Sequence, residues 1–183
     1  MKTFVFAVIG GMIVVPLCVY FYFASGSAPV ATSAPAMPFE RMLAHKALNA
    51  RIAREMPASV PIQADDANLT AGAKIYMSHC VICHGLPGKP EGPIAKGMFP
   101  HPPKLLDGKG VTDDEPGETY WKVANGIRLT GMPSFHQSLS ETEMWQVSLL
   151  AAHADKLPQA TKDALSVPPF GGPPPPMKSP PKQ

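Results

Sequence analysis

The alternation of apolar and polar positions divides the chain into four stretches. From Phe4 to Ala24, 21 consecutive residues carry no charge and most are apolar, with Lys2 ahead of the run and no further charge until Glu40. A bilayer core is crossed by about 20 such residues in a helix, so residues 1–24 read as a transmembrane anchor. The competing reading is a cleaved signal peptide, with the small residues from Ala24 to Ala28 at the cleavage site. The run is longer than the usual signal core of about 7–15 residues, which favours a retained anchor. Lys2 on the short flank places the N-terminus in the cytoplasm and the rest of the chain outside, with Tyr20, Phe21, Tyr22 and Phe23 as an aromatic belt at the outer interface. Cys18, inside the run, reads as an apolar membrane residue.

Residues 25–67 read as a linker. An Ala-, Pro- and Ser-rich spacer reaches Pro38 and is expected to be extended. A helical pattern follows over 39–56, with Phe39, Met42, Leu43, Leu48, Ile52 and Met56 roughly on one side, and Arg41, Lys46, Arg51 and Arg54 as its bases. Such a helix lies on anionic lipid or packs on its own domain, and the pattern allows both. From 68 to 158 the pattern is that of a compact helical domain. Leu69, Gly72, Ala73, Tyr76 and Cys80 keep the i, i+3, i+4, i+7 spacing of one helix face, and Gly85 offers a stop. A middle helix over Pro116–Ala124, stopped by Asn125 and Gly126, turns Tyr120, Trp121 and Val123 inward. Ser140 and Glu143 form a capping box ahead of a final helix bearing Met144, Trp145, Ser148, Leu149 and Ala152. Gly72 is small enough for that helix to cross the first closely. The fold class is therefore all-α. Residues 159–183, with eight prolines among the last sixteen positions, read as a Pro-rich disordered tail.

Composition narrows the function. With 23 prolines, 15 glycines and only 16% charged residues in 183, against a typical charged share of about 25%, the chain has room for one core plus unpacked segments. A net charge of +2, dispersed and without a basic stripe, argues against nucleic-acid binding. Three cysteines are too few for a disulfide scaffold. No P-loop, HExxH or GxGxxG run occurs, so familiar nucleotide-dependent and zinc-peptidase chemistry has no motif here.

The chemistry lies in Cys80, Val81, Ile82, Cys83 and His84, which spell C-x-x-C-H, the attachment signature of c-type haem. On a helix Cys80 and His84 share a face, so two thiols reach the two vinyl groups while the imidazole reaches the iron. A zinc site wants four ligands, and no second Cys or His pair at metal spacing is present. A redox disulfide of the thioredoxin type would need a preceding strand, and the flanks show none. One haem is therefore expected, with a second axial ligand to be found. Met132, in a loop between Gly131 and Pro133, is the leading choice and Met98 the runner-up. Met144 is needed for packing and Met177 lies in the tail. His101 and His136 would give bis-histidine ligation. His79 faces away from the iron. His/Met ligation fills both axial positions and suits electron transfer over oxygen chemistry.

Helix, C-x-x-C-H, Pro-rich loop, middle helix, Gly-Met-Pro loop and a final helix bearing Trp145 together resemble a class I cytochrome c, similar to the single-haem bacterial domains of cbb3-type oxidases, over roughly Asn68–Pro158. The resemblance implies that a proline carbonyl accepts from the other nitrogen of the axial histidine, a role falling to Pro103, with Pro102 as the alternative. It further implies that Leu105 lies against the porphyrin. Trp121 or Tyr120 is expected at the haem or a propionate, with core packing as the plain alternative. The implied protein is a periplasmic electron carrier anchored in a bacterial inner membrane, with a redox donor and acceptor at that membrane, or a fixed subunit of a respiratory complex. A haem enzyme with an open iron is the third reading. Lys89, Lys96, His101 and Lys104 follow the motif, whereas Asp113, Asp114, Glu115 and Glu118 open the middle helix. The lysine face reads either as the docking side of a partner with an acidic rim or simply as the solvated surface of a proline-rich loop.

Overall fold

A computed structural model describes residues 2–107 and 114–166, except the side chains of residues 2, 3 and 5–9. The chain divides into two compact units, 1–47 and 48–183. Among the described residues every regular element is helical, in line with the all-α expectation.

In the first unit, α1 runs over Lys2–Ala24 with Pro16 inside it. Among the described residues no helix is long and apolar enough to cross a membrane. The expected N-terminal helix is present; the expected bilayer span is not met by the described residues. Helix α2, Glu40–Glu55, runs from the first unit into the second. Its apolar residues do not share one side. Phe39, Met42 and Leu43 are exposed, whereas Ile52 is buried. Leu43 and Ile52 are nine residues apart, about two and a half turns, which puts them half a turn out of phase.

The second unit is built on one crossing. Helix α3, Asp66–His79, starts at an Asp65 cap, whose carboxylate accepts from Asn68 N at 2.8 Å. It buries Leu69, Gly72, Ala73, Tyr76 and Met77. Helix α7, Glu141–Ala152, lies across it and presents Met144, Val147 and Leu150. The crossing is as close as the small residue at 72 suggests. A Cβ on Gly72 would run into Gln146 O, with the carbonyl carbon at 2.7 Å and Leu150 Cβ at 3.2 Å. Between them come two single-turn helices, α4 (Val81–His84) and α5 (Pro93–Lys96), and then α6, Pro116–Asn125. The capping box at α7 is complete, with Glu143 N donating to Ser140 Oγ at 3.3 Å and Ser140 N donating to Glu143 Oε2 at 2.8 Å.

The tail expectation needs correction. Gln159–Leu165 is a helix, α8, packed on α3. Thr161 is fully buried and its hydroxyl hydrogen-bonds Thr70 at 3.0 Å, and Leu165 joins the core. Thr161 and Leu165 are i, i+4 on one face, and the proline run begins only at Pro168. The folded domain therefore continues past 158 to Ser166. Residues 167–183, with Met177 and the prolines, lie outside the described residues, as does Asp113.

Candidate haem-binding site

The motif does not simply end the first helix. Helix α3 closes at His79 and Cys80 is the junction, with Cys80 N donating to Tyr76 O at 2.9 Å. A separate turn, α4, then carries Val81 to His84. Cys83 N and His84 N both donate to Cys80 O, at 3.1 and 2.9 Å. Gly85 stops the turn at φ +66°, with its N–H on Val81 O, a conformation that only glycine adopts without strain. Tyr76, fully buried, donates its hydroxyl to Gly85 O at 2.7 Å. Burial, then the charges of Cys80 and Asp107, pushes that phenol far above its ordinary range, so it stays a donor. Core helix and haem turn are thus pinned together by a group that cannot ionise near neutrality.

Cys80 and Cys83 are free thiols, both half-buried. Burial, then the neighbouring Cys83, pushes the Cys80 thiol up to about 12. His84 Nδ1 lies 2.7 Å from Pro103 O. A carbonyl only accepts, so Nδ1 carries the proton and Nε2 presents its lone pair. Burial lowers the histidine's affinity for a second proton, opposed by the Pro103 bond. A neutral imidazole fixed at Nδ1 is the form that ligates a metal. Pro103, rather than the buried Pro102, is the acceptor.

Met132 sits in a loop hung from the end of α6. Gly126, at φ +66°, lies directly beneath it: a Cβ there would stand 2.6 Å from Ser134 N, 2.7 Å from Pro133 C and 2.9 Å from Met132 O. Phe135 N donates to Val123 O at 3.0 Å, and Ser134 Oγ to Ala124 O at 2.6 Å. Inside the loop, Ile127 N donates to Met132 O at 3.1 Å, and Thr130 Oγ1 donates to Ile127 O at 2.7 Å while accepting from Met132 N at 3.1 Å. Gly126 and Thr130 were not singled out as site residues by the sequence. Asn-Gly at 125–126 reads only as a helix stop, and the signal for Thr130 is a hydroxyl two residues before the ligand candidate, the spacing of a side-chain turn.

Cys80, Leu105 and Met132 all pack against one buried cluster that includes Ala73, Tyr76, Met77 and Leu106. Tyr120 borders the same cluster but stacks on Trp145, with ring centroids 4.2 Å apart and planes 17° off parallel. Trp121 turns to the linker instead, its indole donating to Glu55 Oε2 at 3.2 Å, beside the contact of Pro57 O with Gly117. Core packing and the linker contact thus account for both aromatic rings. His79 is exposed and meets the Phe135 ring edge-on at 5.9 Å. Among the described residues no group of three or more His, Cys, Asp or Glu is arranged to hold a metal ion. Two free thiols three residues apart, an imidazole tied through Nδ1 and a half-buried thioether instead match the donor set of a covalently attached, six-coordinate haem.

On the charged faces, Lys89 and Lys96 are exposed, His101 lies 3.1 Å from Glu91, and Lys104 lies 3.6 Å from Asp107. The acidic group is partly neutralised, because Lys122 pairs with Glu118 at 2.6 Å and with Asp114 at 3.4 Å.

The sequence profile of cytochrome c oxidase, cbb3-type, subunit III, matches residues 67–149. No curated protein matches the chain. A solved chain of the Kuenenia stuttgartiensis reducing HAO-like protein complex is similar at 27% identity and a TM-score of 0.47, over 55% of this chain and 49% of that one. This chain thus spans about half the length of that neighbour. The profile covers the C-x-x-C-H turn, Pro103 and the Met132 loop, and residues 67–149 are a class I c-type cytochrome domain, an electron-carrier domain whose cofactor is covalently bound haem c.

Proposed function

We propose that the protein is a single-haem electron carrier held at the periplasmic face of a bacterial inner membrane. The observation that carries this is the Nδ1 contact of His84 with Pro103 O at 2.7 Å, which leaves Nε2 as the proximal ligand, with the Met132 thioether bordering the same core. Cys80 and Cys83 would form the two thioethers, and Leu105 would line the ring. When bound, the haem supplies a one-electron couple. The chain's own residues orient the imidazole, fill the remaining axial position and keep water from the iron, which favours electron transfer over oxygen or peroxide chemistry. The protein is then a carrier and not an enzyme.

Anchoring rests on the uncharged run from Phe4 to Ala24 and its helical backbone. A proline such as Pro16 is tolerated within spans in lipid. The exposed Phe39, Met42 and Leu43 beside Lys46 suit a headgroup region. Donor and acceptor are redox proteins at the same membrane, approaching the Lys89 and Lys96 side through a small, salt-sensitive contact. A fixed subunit of a larger respiratory assembly is the second reading, favoured by the oxidase-subunit profile.

The test is haem staining after denaturing electrophoresis of the full chain, with an iron count. One iron per chain in a stain that survives boiling in detergent is expected; loss of the stain, or two irons, refutes the reading. Carbon monoxide should bind the reduced protein poorly, and rapid binding would favour an open-iron enzyme. Release by alkaline washing of membranes, or a mature N-terminus between Ser25 and Val30, would remove the anchor. Blue native electrophoresis separates carrier from subunit by band size.

A further inference from the structure

Met98 and Gly131 belong to the two loops that carry Pro103 and Met132. Met98 follows α5 in the loop that ends at Pro103, the residue whose carbonyl holds His84. Gly131 immediately precedes Met132. A Cβ built on Gly131 would fall on Met98 Cε, with Met98 Sδ at 3.5 Å and Cγ at 3.9 Å. The methyl end of Met98 therefore occupies the volume that any side chain at 131 would take. Gly131 is not among the glycines with positive φ, so its backbone does not demand glycine. What the contact uses is the missing Cβ.

Among the described residues, the hydrogen bonds of the distal loop run to its own residues or back to Val123 O and Ala124 O of α6. The Met98 contact differs in kind, because it reaches the loop from the proximal side. A methionine suits the task, since its unbranched thioether fills an irregular gap against backbone. Its terminal atoms are directed at Gly131.

We propose that Met98 is a positioning residue, a clasp seated on the Gly131 backbone that ties the proximal loop to the distal loop and holds Met132 in its ligating place. The proposal deepens the reading above and rests on Met132 as the distal ligand. Because the contact is one of volume, it makes a reciprocal prediction. Met98→Ala removes the methyl group from the backbone, Gly131→Ala drives a methyl group into Met98, and in the double variant the new methyl sits where the old one was.

The experiment compares these three variants and Met98→Leu in the full-length holoprotein. Two readouts are followed: the rate at which the reduced form takes up carbon monoxide, and hydrogen exchange of the segment from Arg128 to Phe135. Each single alanine variant should raise both by roughly tenfold, and the double should return to within roughly threefold of wild type, the non-additivity expected of residues in contact. Met98→Leu, apolar and of similar size, should stay near wild type. Multiplying effects in the double, or unchanged exchange in Met98→Ala, would overturn the clasp. Loss of the sulfur-to-iron charge-transfer band in both Met98→Ala and Met98→Leu would make Met98 the ligand and overturn it too. If the wild type lacks that band, the Met132 reading and the positioning role fail together. The exchange arm then reports separately whether the Met98 contact holds the loop.

Discussion

The proximal and distal halves of the site are held by different means. On the proximal side, Cys80, Cys83 and His84 lie on a turn fused to a core helix, and that turn is locked by Tyr76 on Gly85 O and by Pro103 O on His84. Behind it stands the close crossing at Gly72. On the distal side, Met132 rides on a loop whose hold is a small hydrogen-bonded ladder over Gly126, with Leu129 fully out in solvent at positive φ. Damage to the proximal half should reach the fold, because its anchors are core contacts. Damage to the distal half should stay local and show in the iron's coordination while the haem remains attached.

Gly72→Ala is the severest test of that division. The added methyl group meets Gln146 backbone, which cannot rotate away, and overpacking against backbone costs about 3 kcal/mol. Denaturant unfolding of the holoprotein should show that loss, with less haem protein recovered on expression. If Gly72→Ala is neutral, the crossing is looser than described and the proximal half loses its claim to rigidity.

Gly126→Ala is the distal counterpart. It sets a side chain at φ +66° and within 2.6–2.9 Å of three backbone atoms of the Met132–Ser134 segment. Strain of this kind costs about 2 kcal/mol. The loop absorbs it by moving, so the ferric charge-transfer band should fade while covalent haem and helix content persist. An unfolded Gly126→Ala protein would show that the distal loop, too, is part of the core.

Met132→Ala removes only the thioether. A half-buried methionine truncated in this way should cost about 1–2 kcal/mol. The charge-transfer band should vanish and the reduced iron should take up carbon monoxide, with denaturant stability otherwise near wild type. Retention of the band would move the sulfur ligand to Met98, whereas loss of the band without carbon monoxide uptake would point to a histidine in its place.

The same division explains what the sequence discloses. C-x-x-C-H is a local pattern whose spacing contains its geometry, and the capping box at Ser140 and the stop at Gly85 are local too. Gly72 was legible because a small residue on an apolar face has few other uses. Met132 could only be ranked among methionines by its neighbours, since nothing local says which loop returns to the haem. The long-range partners were harder still. Trp121 follows a helical pattern that turns it inward, yet its indole meets Glu55, 66 residues earlier. Helix α2 looked one-sided until Ile52 was buried and Leu43 was not. Helix α8 was concealed by the proline run that follows it, although Thr161 and Leu165 already marked a face.

The smallest effect expected concerns the exit of the distal loop into α7. Ser140 and Glu143 hold that junction, and hydrogen bonds from Ser140 backbone and side chain keep the Glu143 carboxyl below the usual glutamate range, with a lesser contribution from His79. A carboxyl whose folded pKa is depressed stabilises the fold above its unfolded value of about 4.3 and loses that contribution as pH falls through the folded value. The proximal anchors Tyr76, Gly85 and Pro103 contain no carboxylate. Acid should therefore loosen the distal half first, with the charge-transfer band lost before helix content. Ser140→Ala, which removes the side-chain part of the box, should be less stable than wild type at neutral pH. The difference should shrink as pH drops below the glutamate range. Asp65 also caps a helix with a carboxylate, and Asp65→Asn keeps a good cap without the charge, which separates the two ends. If the gap between wild type and Ser140→Ala is the same at pH 7 and pH 3, the capping box acts only through its neutral hydrogen bonds, and acid offers no way to release the distal loop ahead of the proximal turn.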